Sequence, residues 1–186
     1  MYKFGWLPDG QNEELYEYAN IWAREKTSGP DRLVIAPRAH YTQLLQTLTE
    51  CIEEPFQLLY VLVVSRGSES GRYQGEYSFT RVQLQEFLTS HSSFFEQDAR
   101  HDLWIRSESR DGLLVYDRHN VIYAYGPLDR FIPALTSNGL VESEEVRFPS
   151  PHTHHYHAEF DIEEKRLLQS EQWIVSPLQT GDENSN

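Results

Sequence analysis

The sequence predicts an α+β fold: a largely antiparallel sheet with helices packed mainly on one face. Three observations carry this. Strand-like runs at 102–107, 112–117 and 121–125 are joined by connections too short for anything but antiparallel neighbours, giving a three-strand meander over about 102–125. "FQLLYVLVVSR" (56–66) is a continuous apolar run, the pattern of a central strand covered on both faces. "AHYTQLLQTLTECIEE" repeats apolar residues at Tyr41, Leu44, Leu45, Leu48 and Ile52, the spacing of a helix with one buried stripe.

The remaining elements follow in chain order. Residues 1–10 read as an extended lead-in ending in a Pro8-Asp9-Gly10 turn. "NEELYEYANIWAREK" (12–26) reads as a helix, with acids in its first turn and Arg24 and Lys26 in its last. "RLVIA" (32–36) is a short strand, and "RYQGEYSF" alternates as a half-covered one. Thr80 and Gln83 form a capping-box signature before a helix carrying Leu84, Phe87 and Leu88 on one face. Gly126-Pro127 opens another helix, which Asn138-Gly139 closes in a left-handed cap. "EEVRFP" (144–149) reads as a last strand and 158–172 as a last helix. The division expected is one α+β domain over 1–175 and a disordered acidic tail over 176–186.

Composition bounds the function. The chain has 186 residues, with Lys+Arg 16 against Asp+Glu 29, a formal net charge of −13. Such a chain repels phosphate backbones and anionic membranes, so neither nucleic acid nor membrane is expected as a partner. A basic protein partner, a metal cation or a neutral small molecule is not disfavoured. The single cysteine, Cys51, allows no internal disulfide and points to a reducing compartment. The start "MYKFGWLPDG" lacks the basic-then-apolar order of a signal peptide, and the apolar run Leu58–Val64 falls far short of a membrane span. The expectation is a soluble cytoplasmic protein of open oligomeric state.

Two polar concentrations could carry chemistry. "PSPHTHHYHAEFD" (149–161) holds His152, His154, His155 and His157 within six residues. His-x-His on a strand puts His152 and His154 on one face, and Glu159 can come round from the following helix. Imidazoles with a carboxylate suit a divalent ion such as zinc, so His152, His154, His157 and Glu159 form a candidate ligand set. His152-Thr153-His154 with Glu159 resembles the first metal motif of cupins. The glycines framing that motif are absent and no second motif follows, so a cupin is rejected. The His-x-His of metal-dependent amidohydrolases belongs to a longer barrel and is rejected too. "YDRHN" (116–120) joins Asp117, Arg118 and His119 at a hairpin tip. It reads either as a binding or acid–base site or as ordinary turn chemistry, since Asp and Asn bond their own backbone. Nothing in linear order places His119 near His154.

The favoured reading is a non-enzymatic binding module without a cofactor, an inhibitor or immunity-like partner of a basic protein. The alternative is a metal-binding protein or metal-dependent enzyme using the 152–157 histidines. Convergence of three imidazole nitrogens on one point would reverse that order.

Overall fold

A computed structural model describes residues 1–183. The chain runs β1 (Phe4–Trp6), β2 (Glu14–Leu15), β3 (Ile21–Glu25), β4 (Arg32–Ala36), α1 (Tyr41–Thr49), β5 (Phe56–Leu62), β6 (Gly71–Gly75), α2 (Arg81–Ser90) and α3 (Ser92–Gln97). It continues through β7 (His101–Ser107), β8 (Leu113–Tyr116), β9 (Ile122–Tyr125), α4 (Leu128–Ser137), β10 (Val141–Glu142), β11 (His152–His154), α5 (Asp161–Ser170), β12 (Trp173–Ser176) and α6 (Thr180–Glu183). The fold is α+β. The larger sheet has the order β10-β3-β4-β9-β8-β7-β5-β6-β12, antiparallel except where β10 joins β3. The smaller sheet is β11-β1-β2. No helix among the described residues is long and apolar enough to cross a membrane.

Alternation along the strands sorts the larger sheet into two faces. Leu33, Ile35, Leu58, Tyr60, Leu62, Leu103, Ile105, Leu114, Tyr116 and Ile122 point to one face. There they join Leu45, Leu84, Phe94, Phe131 and Leu167 from the five longer helices in one buried cluster. On the opposite face Val34, Ala36 and Val121 pack with Phe4 and Tyr18 of the N-terminal segment in a second, smaller cluster. The expected central strand is β5, and its second face is covered differently than the sequence indicated. Among the described residues, the buried apolar side chains of the longer helices join the larger cluster on the first face. The smaller sheet and α6 supply what cover the second face has, and Gln57 and Leu59 stay half-buried.

The meander forms as expected, with Leu103 opposite Tyr116 and Tyr116 opposite Ile122. The capping box before α2 is complete: the Thr80 side chain accepts from the Gln83 amide while Gln83 Oε1 accepts from the Thr80 amide at 2.9 Å. Gly139 takes the left-handed conformation, φ 77°, that closes α4.

Three expectations are overturned. The helix over 12–26 is instead β2 and β3. Asn20 sits at φ 63°, which breaks any helix there, and its side chain bonds the Gly139 carbonyl and the Arg38 amide. Ile21–Glu25 then pairs with β4, buries Trp22 and leaves Leu15 exposed, so pairing overrides helical spacing. The segment 144–149 forms no strand; Val141–Glu142 takes the edge beside β3, while Val146 and Phe148 pack onto the smaller cluster. Past the expected last helix Trp173–Ser176 adds a strand beside β6, and within the expected tail (176–186) Thr180–Glu183 is a helical turn held by the buried Asp182. The tail's last residues, 184–186, lie outside the described residues.

Candidate functional site

The hairpin turn between β8 and β9 brings the first residue of the site. Asn120 adopts φ 61°, and the Asp117 amide and carbonyl close the turn on Val121 and Asn120. Asp117 Oδ1 accepts from the amides of His119 and Val121, both at 2.9 Å, which is the turn chemistry expected of an aspartate here. Its other oxygen, Oδ2, lies 3.0 Å from His119 Nδ1. That bond places the imidazole proton on Nδ1 and turns the lone pair of Nε2 outward. His119 is 2% exposed, and its Nε2 is buried with no partner.

The other two residues arrive on β11. That strand pairs antiparallel with β1, Phe4 opposite His154 and Trp6 opposite His152, so both histidines share one face while Thr153 takes the other. His152 Nδ1 is 3.0 Å from the Pro149 carbonyl, which leaves its Nε2 free. His154 Nε2 is buried without a partner. Lys3 ties the two segments together. Its carbonyl accepts from the His155 amide at 2.9 Å, and its buried ammonium donates to the Asp117 carbonyl at 2.9 Å.

One ligand-capable atom from each of His119, His152 and His154 lies within 4.8 Å of the other two. The ring centroids form a near-equilateral triangle with sides of 5.2, 4.8 and 5.0 Å. An ion about 2.0–2.1 Å from each nitrogen in a tetrahedral arrangement would separate the nitrogens by roughly 3.3 Å, so small ring rotations close the site. Phe148 and Phe4 wall it, their rings 5.2 and 6.2 Å from that of His119.

Electrostatics suits a cation that needs neutral ligands. Burial pushes the His154 pKa down to about 3, helped by neighbouring His119, His152 and Arg118. Burial lowers His152 as well, with His119 adding to it. Both are therefore neutral imidazoles at pH 7, the form that binds metal. Burial alone would raise the Asp117 carboxyl; the bonds from His119 and the Val121 amide, with the Lys3 charge close by, outweigh it and hold the pKa below its ordinary value.

The sequence-derived residues thus divide. His152 and His154 lie together, as the His-x-His spacing indicated, and His119 joins them from the other polar concentration. His157 points elsewhere, its Nε2 3.0 Å from the Tyr2 carbonyl, and Glu159 is exposed on a 3-10 turn. Neither belongs to a metal-capable group among the described residues. Arg118 also leaves the site: its amide and guanidinium bond Asp102 at 2.8 and 2.9 Å, and Nη2 donates to the Asp182 carbonyl. Sequence reasoning missed Lys3, which no motif marks. Compared with protein-family models, with curated proteins and with solved structures, the chain shows no match.

Proposed function

We propose that the chain is a metal-binding protein holding a divalent ion, zinc by preference, on His119, His152 and His154. The observation that carries this is one ligand-capable nitrogen from each of three imidazoles within 4.8 Å of the other two, in a group where Nε2 of His119 and of His154 is buried without a partner and Nδ1 of His152 is already bonded. A buried polar atom without a partner costs roughly 1–3 kcal/mol, a cost a bound cation removes. Three imidazoles with a carboxylate behind one of them make a ligand set suited to zinc, whereas ferrous oxygenase sites combine two histidines with a carboxylate.

His152 and His154 are only half-buried, so the group has a side from which a water molecule or substrate can approach. An ion with three protein ligands and an open position supplies Lewis acidity and lowers the pKa of a bound water. The reading is therefore a metal-dependent enzyme of the water-activating class. The basic-partner module, with no cofactor, rests on the −13 charge, to which the histidine geometry adds nothing.

The test is elemental analysis and calorimetric titration of protein purified without an affinity tag. About one equivalent of zinc is expected, with a rise in melting temperature. His119→Gln, His152→Gln and His154→Gln should each abolish it, while His157→Gln and Glu159→Gln should not. Metal far below one equivalent, with no thermal shift from Zn²⁺, Ni²⁺, Fe²⁺ or Mn²⁺, would remove the proposal.

A further inference from the structure

Across β8, β7, β5 and β6 the second face of the larger sheet carries a cleft of about 280 Å³, lined by Gln57, Leu59, Gln74, Trp104, Arg106 and Leu113 among others. Strand register sets out its floor and rim. Trp104 stands opposite Leu59, and Leu59 opposite Gln74. Arg106 stands opposite Gln57 on one side and Leu113 on the other. Directly opposed residues share a face, so the half-buried Trp104, Leu59 and Leu113 make an apolar floor with Arg106 and Gln57 along one end. The chain has 16 Lys and Arg against 29 Asp and Glu, yet this face carries Arg32, Arg72 and Arg106. Arg32 pairs with Glu25 and Arg72 with Asp182. Arg106 is exposed, donates to the Gln57 side-chain oxygen and forms no ion pair among the described residues. With its oxygen given to Arg106, Gln57 keeps its NH₂ as a second donor on the same rim.

We propose that this cleft binds a small planar aromatic carboxylate, its ring on Trp104, Leu59 and Leu113 and its anion on Arg106 and Gln57. In a chain whose acids outnumber its bases, a guanidinium without a counter-charge beside half-buried apolar surface complements an anion that carries its own apolar body. One guanidinium and one amide suit a single negative charge; a phosphate dianion calls for more cations than this rim holds. The indole ring and the flat sheet favour a flat ligand, stacked with an offset. The volume, at the small end of ligand sites, has room for one or two fused rings. None of the three metal-capable histidines lines the cleft, and this inference does not rest on the metal reading.

Full-length protein is titrated with naphthoate, naphthylmethanol and naphthylmethylamine, one ring system carrying a negative, a neutral and a positive group. Binding is followed at the Trp104 indole N–H in proton–nitrogen correlation spectra, assigned through Trp104→Phe. Naphthoate is expected to bind about tenfold tighter than the alcohol, with the amine weakest. Arg106→Gln, at an exposed position, should bring naphthoate down to the level of the alcohol, and Trp104→Ala should weaken all three. Equal affinities for the three probes, no saturable shift at millimolar naphthoate, or a naphthoate affinity indifferent to Arg106→Gln overturns the proposal. Tighter binding of the ring-free peptide Ac-Glu-Glu-Gly-Glu-Glu-NH₂ than of naphthoate would assign the face to an acidic protein segment and overturn it as well. Should Trp104→Ala fail to fold, Arg106→Gln decides alone.

Discussion

Asp117 serves two structures with its two oxygens, one closing the β8–β9 turn and one orienting His119. Asp117→Asn separates these roles. The asparagine oxygen can still accept the turn amides, but its NH₂ would face Nδ1. That forces the proton to Nε2 and removes the lone pair the metal needs. Zinc affinity should drop about 10–100-fold, measured by competition with a chromogenic chelator, while the fold persists. An unchanged affinity would refute this role for Asp117. His101 makes a prediction of another kind. It is fully buried among Tyr60, Phe94 and Phe95. Burial first, then the charges of Lys3 and Arg100, hold its pKa well below the ordinary value. Below about pH 6.5 the unfolded chain takes up a proton that the folded chain refuses, so stability falls as pH falls. His101→Phe should flatten part of that slope in urea titrations between pH 7 and 4.5; parallel curves would exclude His101 as a source.

At the scale of elements, Arg100 decides how the C-terminal half is fastened. Its guanidinium bonds Asp98 at 2.8 Å, Glu164 of α5 at 2.7 Å and the His157 carbonyl at 2.9 Å, all at buried or half-buried positions. It thereby holds α5 and the stretch after β11 to the strand that follows α3. Arg100→Met leaves two buried carboxylates without a counter-charge. The expected cost is about 3–5 kcal/mol in denaturant unfolding, against less than 1 for an exposed pair such as Arg24 with Glu142. A loss below 1 kcal/mol for Arg100→Met would mean the network contributes nothing net. Elements set by neighbours along the chain were legible: the Thr80 box, the left-handed Gly139 and the short turns of the meander. The segment 12–26 was not, because its acids and aromatics satisfy a helical spacing as well as a strand. What selects β3 is the edge of β4, a partner the local sequence cannot announce.

For the molecule as a whole, the main core and the histidine group are separate. The rings that wall the group, Phe4 and Phe148, belong to or pack on the smaller cluster, not the larger one. A protein so built should keep a cooperative thermal transition after chelator treatment, unlike small metal-nucleated domains. Zinc at a hundredfold its Kd should add about 2.7 kcal/mol, read as a higher melting temperature. Loss of cooperative melting in chelator would show instead that the ion is needed for the fold. Half of the site was readable in advance. The His152–His154 spacing and the Asp117–His119 tip each stood out. Their union was hidden, since 33 positions separate His119 from His152 and the pairing of β11 with β1, tied by Lys3, spans that gap.

The sequence by itself determined what depends on short range: the periodicity that makes α1 and α2, the turns that force an antiparallel meander, and the shared face of two histidines on a strand. Tertiary structure alone decided which imidazole completes the group, which neighbours dropped out, and that the acidic tail returns to the sheet through Asp182. Those outcomes turn on where distant segments dock, and docking follows from complementary surfaces and buried charge pairs. No local pattern encodes that.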